Sequence, residues 1–193
     1  MRLYFALGKK ATQECLCGYL GHPLRGCICN PRAIYWYRRR ISGPLLEGID
    51  LHIEAEPVPL HELMEMNIPS ENSATIRERV IKARRIQYAR FKENLNVHCN
   101  AQMPDKDLDS FCEIDENAKK FLLKMMHVLQ LSARSYTRIL KVGRTIADLS
   151  GKKIIELEHV AEAIHFRSLD KPLIIPNNKK PKLPGSNAYP FTV

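Results

Sequence analysis

Apolar positions are patterned differently in the two halves of the chain, and the clearest periodicity lies in the C-terminal half. Ala118, Phe121, Leu122, Met125, Val128 and Leu129 recur at i, i+3, i+4 and i+7, the stripe that one face of an α-helix buries. Ser132 then precedes Tyr136, Ile139, Leu140, Ile146 and Ala147 at similar spacing, with Gly151 beyond them. That order predicts a helix capped by the serine hydroxyl, running to about Leu149 and stopped at the glycine. Val160, Ala161 and Ile164 predict a last helix over about 157 to 166, and three helices with short connections make a small bundle. Upstream, 74 to 92 also reads as a helix, with Ser70 or Ser73 as its cap. Its apolar face is thin, Ile76, Val80, Ala83 and Gln87, while Arg77, Arg79, Lys82, Arg84, Arg85, Arg90 and Lys92 cover most of the rest. Such a helix serves either as a solvated linker between domains or as a contact for a polyanion.

The N-terminal part follows other rules. Leu3 to Leu7 form an apolar run that reads as a short strand, and a strand needs partners in a sheet. Residues 15 to 31 hold Gly18, Gly21, Pro23, Gly26 and Pro31, a density of turn formers that excludes a long helix. From 32 to 46 a helical pattern interleaves Ile34, Tyr35, Tyr37 and Ile41 with Arg32, Arg38, Arg39 and Arg40. Ile49, Leu51 and Ile53 alternate with Asp50, His52 and Glu54, the period of a half-buried strand. Residues from Pro57 to Asn72 read as a connector, and Lys171 onward as a flexible, basic, proline-rich tail.

Composition narrows the class. Of 193 residues 45% are hydrophobic and 26% charged, ordinary values for a folded soluble protein. No apolar run approaches the length of a membrane span, and the lysines of the first residues follow the apolar run instead of preceding it, which is the wrong order for a signal peptide. The expected location is the cytoplasm, with no membrane partner. A net charge of +9 favours polyanions such as DNA.

Four of the six cysteines crowd one hairpin-sized segment, and in a cytosolic chain such a cluster suggests metal more than disulfides. Cys15-x-Cys17 and Cys27-x-Cys29 stand nine residues apart, so a turn between them would present four thiolates to a structural Zn²⁺. Each pair is one residue tighter than a Cys-x-x-Cys knuckle, so a reduced hairpin without metal and a redox pair stay open, with His22 as a reserve ligand. Around the hairpin, Arg25, Arg38, Arg39 and Arg40 with Tyr35 and Trp36 are candidates for contact with DNA phosphates and bases; the alternative puts the aromatics in a core and the arginines at an interface or in solvent.

Three segments in order, CLCGYLGHPLRGCICNP at 15 to 31, RRRISGPLLEGIDLHIE at 38 to 54 and LSARSYTRILKVGRTIADLSG at 131 to 151, resemble the magnesium-chelatase-like AAA+ ATPases of the ComM/YifB branch. The similarity extends over about 13 to 167. It implies an α/β remnant of an AAA+ core with few strands, followed by an all-α helical lid, mostly helical overall. By that reading 1 to 60 are the C-terminal part of the core, 61 to 95 a linker with the basic helix, 96 to 168 the lid, and 169 to 193 the tail. The family's members are ATP-driven rings, typically hexameric, and the competence protein acts on DNA.

The resemblance also assigns residues. Ser132-Ala133-Arg134 matches the lid motif that points an arginine at the nucleotide phosphates of its own subunit, making Arg134 the second sensor. Arg138 and Arg144 are expected in solvent or paired with Asp148. Gln13 occupies the first sensor position, where relatives carry asparagine. Gly48 stands where the relatives' Asp-Arg-Ile-Asp supplies an arginine to the neighbouring subunit. Neither G-x-x-x-x-G-K-[ST] nor an apolar strand ending in Asp-Glu occurs in these residues, and phosphoryl transfer requires the groups those motifs bring. The expectation is a C-terminal fragment or short form that uses ATP and Mg²⁺ only with a complementary nucleotide-binding half and has no catalytic residue of its own. The alternatives are a zinc-stabilised, non-catalytic DNA-binding module and a decayed product without activity.

Overall fold

The computed structural model describes residues 14 to 22, 25 to 53, 71 to 94 and 96 to 167. Within these the chain is helical: α1 (Pro31–Arg38), α2 (Gly43–Glu47), α3 (Ser73–Arg90), α4 (Leu108–Phe111), α5 (Glu116–Val128), α6 (Ala133–Leu149) and α7 (Leu157–His165), with two 3₁₀ turns at Asn100–Gln102 and Asp105–Asp107. The expected strand at Leu3 to Leu7, Gln13 and the tail lie outside the described residues. The described residues up to Ser42 form one compact unit and those from Gly43 onward another.

In the second unit the predicted stripes become the core. Ala118 and Leu122 of α5, Ile139, Leu140, Ile146 and Ala147 of α6, and Val160, Ala163 and Ile164 of α7 are buried together with Phe91, Val97, Met103, Leu108, Cys112 and Ile155. Helix α6 packs against α3 and α7, and α5 against α7. Ser132 caps α6 as expected, accepting from the Ser135 N–H at 3.2 Å, and Gly151 ends it at φ +71°, in the left-handed region that glycine enters without strain. On α7 it is Ala163, two residues on from the expected Ala161, that reaches the core, and Val128 is 60% exposed.

Three expectations are corrected. Helix α3 is capped by Asn72, not by a serine: Asn72 Oδ1 accepts from the Thr75 N–H at 2.9 Å, and asparagine is as good a cap because its carbonyl reaches the same orphan donor. Residues 49 to 53 are not a strand. Their alternation is inverted, with Leu51 and Ile53 exposed and His52 5% exposed, since the His52 N–H donates to the Phe166 carbonyl at 2.7 Å and fixes the segment by that bond rather than by a ladder. Among the described residues the nearest thing to sheet is one isolated parallel bridge, Ile114 to Ile155.

The third correction concerns Arg138, which pairs with Asp50 and not with Asp148, whereas Arg144 makes the Asp148 pair that was one of its two expected places. Arg144 was expected in solvent or beside Asp148; it is 1% exposed, and its guanidinium bonds both Asp148 and the carbonyls of Lys152 and Lys153 at the end of its own helix. Asp148 also accepts from both terminal nitrogens of Arg90 on α3, and from Asn100 at 2.8 Å. One carboxylate thus ties α3, the Asn100 turn and α6 together.

Candidate functional site

The cysteine segment closes on itself. A turn with Gly18 and Gly21 at positive φ brings the two Cys-x-Cys pairs together, and all four sulfurs lie within 4.8 Å of one another. Cys15 to Cys17, Cys15 to Cys27 and Cys17 to Cys27 are separated by 3.4, 3.6 and 3.5 Å. A tetrahedral ion with metal–sulfur bonds of roughly 2.3 Å sets its sulfurs about 3.8 Å apart, so the four side chains fit one ion with little movement.

Backbone donors favour the charge such an ion needs. The Cys17 thiol is drawn down to about 6, chiefly by the Tyr19 N–H, against desolvation and with help from the Ile28 N–H. Cys27 goes the other way, to about 12: the Cys29 N–H lowers it, but desolvation and the neighbouring sulfurs outweigh that pull. Four sulfurs in contact cannot all ionise without a cation among them. His22 stands outside the group, its Nδ1 accepting from the Arg25 N–H at 3.2 Å and its ring edge-on to Tyr19.

Around the cysteines, guanidinium groups lie on aromatic rings. Arg25 sits 5.3 Å above Tyr19 and donates to its hydroxyl at 2.7 Å. Arg39 sits over both Tyr35 and Trp36, at 5.3 and 5.7 Å. Helix α1 holds them in place: Asn30 caps it through the Ala33 N–H, with Pro31 preset in its first turn. Arg40 is exposed just beyond the helix. Arg38 is already engaged, paired with the Glu14 carboxylate and donating to the Glu14 carbonyl.

Arg134 belongs to the other unit. It is the second residue of α6, its side chain 62% exposed, with Glu47 at 4.0 Å as its partner. A cation in the first turn opposes the helix dipole, and a pair at that distance compensates little. The segment that carries Glu47 is tied to the bundle by three further contacts: Arg138 with Asp50, Arg167 with the Ile49 carbonyl, and the His52 N–H with the Phe166 carbonyl at 2.7 Å. Arg167, 1% exposed, was not singled out by the sequence pattern; a lone arginine past the last apolar position carries no periodic signal. Gly48 lies in that segment, where a Cβ would come within 3.1 Å of the Leu45 carbonyl oxygen. The turn is therefore shaped for glycine, and an arginine there requires a small opening of the backbone.

Comparison with known proteins now bears on both units. Residues 7 to 63 match the family described as magnesium chelatase, subunit ChlI, and residues 70 to 167 match its C-terminal region. The competence protein ComM of Haemophilus influenzae is 39% identical over 140 residues, 72% of this chain and 26% of that protein. The YifB protein of Escherichia coli is 35% identical over 146 residues, 76% of this chain and 28% of its own length, and that of Salmonella typhimurium is 34% identical over the same span. The chain spans about a quarter of the length of these relatives. With both parts matched in order, and the second alone covering just over half of the residues, the chain belongs to the magnesium chelatase ChlI family in its ComM and YifB-like form.

Proposed function

We propose that this chain supplies the lid and the cysteine hairpin of an ATP-driven AAA+ assembly in the cytoplasm, and that Arg134 is its nucleotide-sensing residue. The observation that carries the reading is Arg134 itself: an exposed cation in the first turn of α6, where it costs helix stability, loosely held by Glu47 and free to turn toward an anion. In this reading residues 1 to 60 are the end of an α/β core, 61 to 95 link it to the lid at 96 to 168, and the nucleotide's phosphates and Mg²⁺ are held by a nucleotide-binding half that lies outside these residues. Arg134 contributes charge toward the phosphates. Gln13 and Gly48 replace the polar sensor and the arginine that relatives use, so the chain is a weak partner in hydrolysis.

Zinc is the ion we assign to Cys15, Cys17, Cys27 and Cys29, on the strength of the sulfur geometry. Four protein ligands leave no open position, so the ion would stiffen the hairpin and carry no chemistry. Arg25, Arg39 and Arg40, stacked or exposed beside it, make the hairpin a DNA-facing element, in keeping with the competence protein among the relatives.

The test is turnover. The purified chain with ATP and Mg²⁺ should release no phosphate above background. When a nucleotide-binding half from a relative is added, nucleotide affinity should rise, and Arg134→Ala should remove most of that rise without lowering the melting midpoint. Robust hydrolysis by the chain alone, or indifference to Arg134→Ala, would overturn the proposal.

A further inference from the structure

Helix α3 is not used by the function proposed above, and its surface is unusual. Of its 18 residues only Ala83 and Gln87 are buried. Arg77, Lys82, Arg84 and Arg85 are all exposed, and among the described residues none of the four has an ion-pair partner; Arg79 is held by Glu71 at 2.7 Å. Arg90, at the far end, is spent inside the bundle on Asp148. A helix left this cationic and this bare has no internal reason to keep its charge, since each free arginine adds repulsion with its neighbours.

The cations are also ordered. Successive residues on an α-helix advance by 100°, so Arg77 and Arg84, seven residues and about 10 Å apart along the axis, fall on one face. Tyr88, 58% exposed, follows Arg84 by four residues on that same face, and Val80, 47% exposed, precedes it by four. Arg84 further borders an open groove of about 250 Å³ whose walls include Val80, Ala83, Ala101 and Leu149. A row of positive charge, one exposed ring and an apolar recess thus stand side by side. Lys82 lies on the other side of the helix, and Arg85 flanks the row, about 60° round from Tyr88.

We infer that this face of α3 binds single-stranded nucleic acid, with Arg77 and Arg84 on successive phosphates, Tyr88 stacked on a base, and the recess beside Arg84 receiving an unstacked base. The chemistry selects the partner. Charge alone would suit a duplex or an anionic membrane, but a duplex hides the base faces that a ring and an apolar recess recognise. A membrane-surface helix needs a continuous apolar side, whereas here Arg77 and Arg84 interrupt the row of Val80, Ile81 and Tyr88. The inference requires neither nucleotide nor the hairpin, so it stands or falls apart from the function proposed above.

The full chain is titrated with a fluorescein-labelled oligodeoxythymidylate of about 16 nucleotides between about 50 and 200 mM salt, with the matching duplex and anionic phospholipid vesicles in parallel. Removing two phosphate contacts from a single strand lowers the slope of log K against log salt by about 1.4, the change expected for Arg77→Gln/Arg84→Gln. Tyr88→Ala should weaken binding by about five- to 150-fold with the slope unchanged, the signature of a stacking contact. Lys82→Gln should leave the slope within about half a unit of the parent. All of these side chains are exposed, so the variants should keep the parent's urea midpoint; if the double variant does not, Arg77→Gln alone, on the bundle-distal half of the helix, should still lower the slope by about 0.7. Equal slopes for parent and arginine variants, tighter binding of the duplex than of the single strand, or binding to vesicles but not to the oligonucleotide would each overturn the inference.

Discussion

Asp148→Asn removes one charge from the interior of the lid and keeps the shape of the side chain. In the folded chain Asp148 is 1% exposed and faces four N–H donors: both terminal nitrogens of Arg90, Asn100 Nδ2 at 2.8 Å and Arg144 Nε at 3.2 Å. Asparagine offers one oxygen in place of two and turns its own N–H₂ toward the remaining guanidinium. Arg90 can respond, because its side chain is 14% exposed and reaches water. Arg144 cannot, since at 1% exposure it has only the Lys152 and Lys153 carbonyls left. Breaking a buried pair from one side costs about 3 to 5 kcal/mol, a fifth or more of the roughly 5 to 15 kcal/mol that holds a domain. For a unit of this size that is a fall in Tm of about 11 to 18 °C, read by calorimetry or by urea melts at constant m-value. Arg144→Met/Asp148→Leu, which removes both buried charges and keeps their volume, should lie within about 1 kcal/mol of the parent or above it. If Asp148→Asn costs less than about 1 kcal/mol, water reaches Arg144 in the folded state and the reasoning fails.

Other consequences are as direct. Burial pushes the Cys112 thiol up to about 11 from its ordinary 9.0, so its folded form holds a proton that the unfolded chain releases; its contribution is complete below pH 9 and is lost as pH rises toward 11, up to about 3 kcal/mol, and Cys112→Ala should flatten that limb of a stability profile. Gln130 at φ 52° and Gly151 at φ +71° occupy the same left-handed region, so Gln130→Gly should stabilise by about 0.5 kcal/mol and Gly151→Ala destabilise by about 1 kcal/mol in urea titrations. The His159 ring, 2% exposed, completes a capping box by accepting from the Glu156 N–H at 2.9 Å; His159→Gln keeps an acceptor there and should retain more stability than His159→Leu by about 1 kcal/mol, measured by thermal melts. Mass spectrometry under native conditions should find one zinc per chain, lost in Cys17→Ser.

How far the fold could be read in the residues depended on whether a position's burial followed from its neighbours in sequence. The stripes of α5, α6 and α7 did, because a helix that must hide one face repeats its apolar residues at a fixed interval, and Ser132 and Gly151 mark its ends by local chemistry. The reading of 49 to 53 as a strand failed for the opposite reason. Ile49, Leu51 and Ile53 alternate as a strand would, yet what fixes the segment is the Phe166 carbonyl and the Arg167 guanidinium, more than a hundred positions away in sequence. Alternation reports a preference for a pleated, half-buried surface; it cannot report whether a neighbouring strand exists to pair with.

Arginine is where sequence reasoning was least able to sort one role from another. The side chain is the same at 77, 90, 134, 144 and 167, and a periodic pattern assigns all five to the surface. The structure separates them by what surrounds the guanidinium. Arg144 and Arg167 sit at 1% exposure because carbonyl oxygens and a carboxylate or a hydroxyl accept their N–H groups inside. Arg90 bridges two elements through Asp148. Arg134 and Arg77 point outward with little or nothing among the described residues to hold them. Desolvating a guanidinium without acceptors costs several kcal/mol, so the satisfied arginines hold the fold together. The unsatisfied ones contribute nothing to it, and what they can still bind is an anion from outside the chain: in the roles proposed above, the phosphates of a nucleotide at Arg134 and those of a strand along α3.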